Sequence, residues 1–252
     1  KSRFYLLVER FCAVLTDRLV ALSEGEKRES LERGMGKPEQ WAVVHSGVNL
    51  PVISYDSERR ARLRESVRIA PDALVAGFVG RLTPVKGLDT FLRAAALLKD
   101  RPELFFLLVG DGEAREELQS LAVRLCLDRV RFAGFKDDVF GWLQAMDIFV
   151  HPSLNEGMGR ALVEAQHAGL PVAATDVCGI PDVVLHGKSG LLVKPGDAQA
   201  LSAAMREFAS SAELRRAYGN EGRKWVLSED ENGLPRFSTE AMAKKLEKVY
   251  LS

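Results

Sequence analysis

From Leu74 onward, short apolar runs alternate with stretches of helical periodicity. The apolar runs read as buried strands at 74–79, 104–109, 130–133, 147–151, 171–175 and 191–193. Apolar positions recurring every three to four residues predict helices over 88–99, 113–125, 137–145, 160–168 and 198–209. Alternation of this kind builds βαβ units with right-handed crossovers, hence an α/β fold with a doubly wound parallel sheet and flanking helices. Such sheets bind ligands at the carboxyl ends of their strands, near the point where strand order reverses.

The first 50 residues read differently. Phe4 to Leu15 (F-Y-L-L-V-E-R-F-C-A-V-L) is an amphipathic or buried helix, with core packing, partner docking and membrane-surface contact all open to it. Asp17 to Ser23 holds a short strand, 25–34 a charged helix that Ser23 can cap, and Trp41 to Val44 a second strand. One strand–helix–strand unit is too small to bury its own faces. It reads as a partial second α/β unit, and the chain as a piece of something longer. Residues 51–71 are rich in arginine with acids among them, which predicts a solvated connector helix.

Composition narrows the function. The chain has 35 basic and 35 acidic side chains, so no cationic excess exists to displace nucleic-acid counterions, and no nucleic-acid partner is expected. Cys12, Cys126 and Cys178 are odd in number and widely spaced, as are the four histidines. This excludes a disulfide framework and predicts no metal site and a reducing, cytoplasmic location. No secretory signal is visible and no apolar run is long enough to span a bilayer.

The strand ends then form a set. After the first regular strand come Gly80, Arg81, Lys86 and Gly87, and after the second Gly110, Asp111 and Gly112. The third is followed by Gly134, Phe135 and Lys136, and the fourth by Pro152, Ser153, Glu156, Gly157 and Gly159. Glycine permits tight turns and close approach of backbone to a ligand, helix N-termini bind anions, and Arg81 and Lys86 stand where a diphosphate can lie. Each feature has a bland reading. Asp111 can cap its helix, His151 can end a strand on a backbone hydrogen bond, and Glu164 can be helix surface. The neighbours of Glu164 (Leu162, Val163, Ala165, Ala168) are apolar, which points it at a cavity or a partner. On a single helix, eight positions advance about 12 Å and end about 80° round the axis. Glu156 and Glu164 therefore serve one ligand only if Glu156 sits on the entry loop and Glu164 on the helix.

Residues 74 to about 209 resemble the nucleotide-binding domain of group 1, retaining glycosyltransferases of the two-Rossmann-domain (GT-B) architecture. The resemblance rests on G-R-L-T-P-V-K-G at 80–87, V-G-D-G at 109–112, H-P-S-L-N-E-G-M-G-R-A-L-V-E at 151–164 and A-G-L-P-V-A-A-T at 168–175. Two glutamates separated by seven residues, with R-x4-K upstream, make it specific. It implies that 1–50 ends an N-terminal acceptor-binding domain, missing here in cis, and that 51–227 is a Rossmann-like nucleotide-sugar-binding domain. It also implies that 228–252 is a tail whose helix packs back on the acceptor domain.

By position, the resemblance implies that Arg81 and Lys86 bind the diphosphate of a nucleotide-diphosphate (NDP) sugar and act in catalysis with Glu156, which contacts hydroxyls of the transferred sugar. Glu164 would accept from the ribose, and N–H groups of Gly157, Met158 and Gly159 would hold sugar and phosphate. Phe135 and Lys136 would border the base, with Gly80, Gly110, Asp111 and Ser153 completing the donor site. No cofactor or metal is implied. The acceptor would be a glycan or a lipid-linked glycan of the cell envelope, with peripheral contact at the inner face of the plasma membrane. Met158 stands where Phe is frequent and Cys178 where Gly is frequent, which leaves the sugar and the loop shape open. The alternatives are an NDP-sugar epimerase of the same architecture and a nucleotide-binding fragment without turnover.

Overall fold

The computed structural model describes residues 3–251. Helix α1 (Arg3–Val14) leads into a two-stranded parallel sheet of β1 (Leu19–Ala21) and β2 (Trp41–Val43), joined by α2 (Glu24–Glu32). Ser23 caps α2, its side chain accepting from the Glu26 N–H. Phe4, Leu7, Phe11 and Val14 on α1 are exposed. A single α/β crossover offers them no second layer to pack against.

The 51–71 stretch does form a helix, α3 (Ser57–Ser66). It departs from the solvated connector in one respect: Arg64 is fully buried. Its guanidinium donates to the carbonyls of Ala145, Pro71 and Ala73 and to Asp147 Oδ2 at 2.7 Å, and Arg60 donates to Asp147 Oδ1 at 2.7 Å. Asp147 also accepts the Val75 N–H. The charge is buried because it is paired with Asp147 and four of the five guanidinium N–H donors find acceptors.

The large sheet follows the expected alternation: β3 (Leu74–Val79), α4 (Leu88–Ala96), β4 (Leu104–Val109), α5 (Arg115–Arg124), β5 (Val130–Gly134), α6 (Val139–Gln144), β6 (Ile148–His151), α7 (Arg160–His167), β7 (Val172–Thr175), α8 (Ile180–Val183), β8 (Gly190–Val193) and α9 (Ala198–Ser210). All six strands are parallel, in the order β5-β4-β3-β6-β7-β8. Alternate residues feed two cores: Val75, Val79, Leu107 and Phe149 on one face, Ala76, Phe78, Leu108 and Ile148 on the other. Strand order reverses between β3 and β6, and the helices that follow them pack on opposite faces of the sheet, Phe91 of α4 in one core and Leu162 of α7 in the other.

Two helices close the chain, α10 (Ala212–Leu227) and α11 (Thr239–Leu251). Helix α10 was not expected from the sequence. Its two glycines weaken a helical pattern, yet both serve packing. A Cβ on Gly219 would lie 2.0 Å from the Gly169 carbonyl, and one on Gly222 3.0 Å from the Gln166 side chain. Ahead of α11, the Phe237 carbonyl accepts the Val48 N–H at 2.8 Å. Among the described residues, no helix is long and apolar enough to cross a membrane.

Candidate active site

Two loops meet at the reversal. Residues 80–87 leave β3 and turn through a 3-10 segment, Pro84–Lys86, which ends on Gly87 at φ 60. Residues 152–159 leave β6. The Leu154 N–H donates to the Val85 carbonyl at 2.8 Å, and a Cβ on Gly87 would lie 2.2 Å from the Pro152 carbonyl. Glycine is required there on both counts, left-handed backbone and close approach. That contact sets Lys86 beside Glu156.

Glu156 Oε2 accepts three donors: Lys86 Nζ, His151 Nε2 at 2.9 Å and Ser153 Oγ at 3.2 Å. Burial on its own would raise this carboxyl, but hydrogen bonds and positive charge from His151 and Lys86 outweigh it and hold the pKa at about 2. A carboxylate this acidic only accepts, so His151 Nε2 carries the proton. Burial pushes the His151 pKa down, opposed by the Glu156 carboxylate, and the ring stacks against Phe78 and Phe149. Among the described residues, Glu156 Oε1 has no partner, so one oxygen is pinned and the other is free for a ligand. Ser153 is held in turn by Thr175, whose hydroxyl donates to the Ser153 carbonyl. His151 thus does more than satisfy backbone. Its place five residues before Glu156 was the available signal.

Two cavities are lined by the expected residues, and the second includes part of this cluster. The first, 390 Å³, is lined by Gly80, Arg81, Gly110, Asp111, Phe135 and Lys136 with Val79, Val109 and Val139. Arg81 is exposed and, among the described residues, makes no ion pair or hydrogen bond through its side chain. Lys136 Nζ stands 5.6 Å from the Trp142 ring centroid, and Phe135 is exposed. Asp111 is engaged within its own loop, accepting from the Gly112 N–H at 2.8 Å and pairing with Arg115 at 2.6 Å. The second cavity, 410 Å³, is lined by Lys86, Asn155, Glu156 and Gly157 and by Glu26 and Glu29 of α2 with Arg33 at its C-terminal cap.

The remaining expected residues lie on α7. Gly159, at φ 83, opens the helix. Among the described residues, the N–H groups of Gly157, Met158 and Gly159 donate to no protein acceptor, so this helix start offers free donors to an anion or hydroxyl. The Met158 side chain is buried in the core. Glu164 is half-buried one helical stretch on and lines neither cavity. Burial pushes its pKa up, with Arg160 opposing, and its carboxyl has no hydrogen-bond partner among the described residues. The sequence-derived residues thus divide into a mixed cavity at Arg81, Phe135 and Lys136, a charged cavity at Lys86 and Glu156, and the α7 start between loop and helix. No group of three or more His, Cys, Asp or Glu residues with metal-binding arrangement exists among the described residues.

The family model for glycosyl transferases group 1 matches residues 59–225. The chain belongs to this family. It is 38% identical over 216 residues to a D-inositol 3-phosphate glycosyltransferase of Streptomyces avermitilis, covering 81% of this chain and 46% of that protein. It is 30% identical over 255 residues to the putative glycosyltransferase EpsD of Bacillus subtilis, covering 98% of this chain and 63% of that one. HepE of Anabaena, solved with UDP and glucose, superposes with a TM-score of 0.86 at 25% identity, covering 100% of this chain and 68% of HepE. The architecture is that of the GT-B glycosyltransferases. The chain spans about half the length of the D-inositol 3-phosphate glycosyltransferase relative. These relatives do not favour the epimerase alternative.

Proposed function

We propose that this chain carries the donor site of a retaining, metal-independent glycosyltransferase that moves a sugar from an NDP-sugar to a glycan or lipid-linked acceptor. The observation that carries the reading is the pinned Glu156 beside Lys86 at the sheet reversal, with unpartnered Arg81 on the same loop. The base enters the cavity of Phe135 and Lys136, and Glu164 accepts from the ribose hydroxyls. That HepE was solved with UDP and with UDP-glucose supports a uridine diphosphate sugar as the first probe.

Breaking the sugar–phosphate bond leaves extra negative charge on the diphosphate. Arg81, Lys86 and the free N–H groups at the α7 start offset that charge without a divalent ion. Glu156 Oε1 accepts from a sugar hydroxyl and orients the ring. The acceptor attacks from the leaving-group face, and a phosphate oxygen takes its proton, so no protein nucleophile is needed. The acceptor domain is supplied in cis by the longer protein, which acts in the cytoplasm with peripheral membrane contact at lipid-linked acceptors.

Calorimetry of this chain with UDP, GDP and ADP, with and without EDTA, tests the proposal. One of them is expected to bind equally well in both buffers. Lys86→Ala is expected to weaken it about tenfold or more, the loss of one charge-assisted contact. Absence of binding by all three would refute a donor site, and binding abolished by EDTA would refute metal independence.

A further inference from the structure

The second cavity has a wall that the donor reading leaves unused. It is made by Glu26 and Glu29 of α2 and the capping Arg33, which share the cavity lining with Lys86, Asn155 and Glu156. This helix is clamped to the sugar loop by backbone contact. A Cβ on Gly25 would lie 2.1 Å from the Cys178 carbonyl, and one on Gly179 would lie 1.9 Å from the Gly157 carbonyl. The Gly179 N–H donates to the Glu156 carbonyl at 3.2 Å, and Asp182 Oδ2 accepts the Glu24 N–H at 2.8 Å. The α2 carboxylates therefore stand at a set position relative to Glu156.

The two glutamates are used differently. Glu26 turns back, its Oε2 accepting the Leu22 N–H at 2.7 Å. Glu29 is presented to the cavity between two supports: Cys178 Sγ donates to its Oε1 at 2.8 Å, and Arg33 to its Oε2 at 3.1 Å. Cys178 sits at φ 41, a left-handed conformation that a residue with a Cβ occupies at a cost. The thiol contact gives that cost a purpose. Burial and the neighbouring Glu29 push the thiol pKa up to about 11, so it remains a donor.

We infer that Glu29, steadied by Cys178 and Arg33, is a specificity-determining residue that accepts hydrogen bonds from hydroxyls of the transferred sugar on the side opposite Glu156. The sugar class is one without a carboxylate. Glu26, Glu29 and Glu156 outnumber Lys86 and Arg33 in the cavity, so a uronate would meet like charge. This inference rests on the donor-site reading and adds the α2 wall to it.

The test uses this chain with UDP, GDP and ADP, and with UDP-glucose, GDP-mannose, ADP-glucose and UDP-glucuronate. Glu29→Gln is expected to leave diphosphate affinity within about twofold and to lower hexose-conjugate affinity about tenfold, as for one lost hydrogen bond to a charged group. Glu29→Asp, which keeps the charge but withdraws it by one methylene, is expected to show the same split. Glu32→Gln, on the exposed side of α2, is expected to change neither. An unchanged ratio of conjugate to diphosphate affinity in both Glu29 variants overturns the inference. So does an equal loss of both affinities, which would make Glu29 a prop for the fold. If the unsubstituted chain binds no diphosphate, the donor-site reading itself fails and this inference with it.

Discussion

Glu156→Gln offers a quantitative check on the cluster at the centre of the site. The wild-type carboxyl is held at about 2 against an ordinary value of 4.5. A depression of roughly 2.5 pH units, at about 1.4 kcal/mol each, is worth about 3 kcal/mol of folding stability. The carboxylate is the favoured form, so this contribution is complete above the unfolded pKa and is lost as pH falls toward the folded one. Two-state linkage leaves about 1.4 kcal/mol of it at pH 3, so about 2 kcal/mol disappears between pH 5 and pH 3. Glutamine cannot titrate, and the variant should lack that increment. The assay is urea unfolding of both proteins at pH 5, 4 and 3, comparing the two pH slopes so that the other carboxylates cancel. A wild-type slope about 2 kcal/mol steeper over this window is expected. Identical slopes would mean that Glu156 titrates as an ordinary carboxyl and that Lys86 and His151 do not hold it, and the account of the site would fail at its centre.

Two further substitutions probe the scaffold. Arg64→Met leaves Asp147 and three carbonyls without their buried donor, and should cost about 3–5 kcal/mol in urea unfolding; a loss below about 1 kcal/mol would show that the site is solvated. Gly179→Ala places a Cβ 1.9 Å from the Gly157 carbonyl and 2.6 Å from Ser23 Cβ, neither of which is a flexible side-chain end. It should displace the sugar loop and weaken NDP-hexose binding in calorimetry, and unchanged affinity would show that the loop tolerates the shift.

Local periodicity settled much of this protein. Every strand of the large sheet lies where an apolar run predicted it, and α1, α2 and α3 lie where their patterns did. Burial acts on each side chain separately, so its imprint is local and can be read from one sequence. The glycine- and cation-bearing strand ends were legible for the same reason, since βα loops need turn residues wherever they lead.

What tertiary structure decided was adjacency. Only the order β5-β4-β3-β6-β7-β8 brings the loops at 80–87 and 152–159 into contact and seats Lys86 on Glu156. Nothing in residues 51–71 distinguishes Arg64 from its exposed neighbours until Asp147, from the approach to β6, arrives to neutralise it. His151 carries the proton for Glu156 because a carboxylate faces it, and α2 forms a wall of the second cavity because Gly25 and Gly179 let two backbones touch. Pairing of charges and close backbone approach are properties of two segments at once, so neither segment announces them alone.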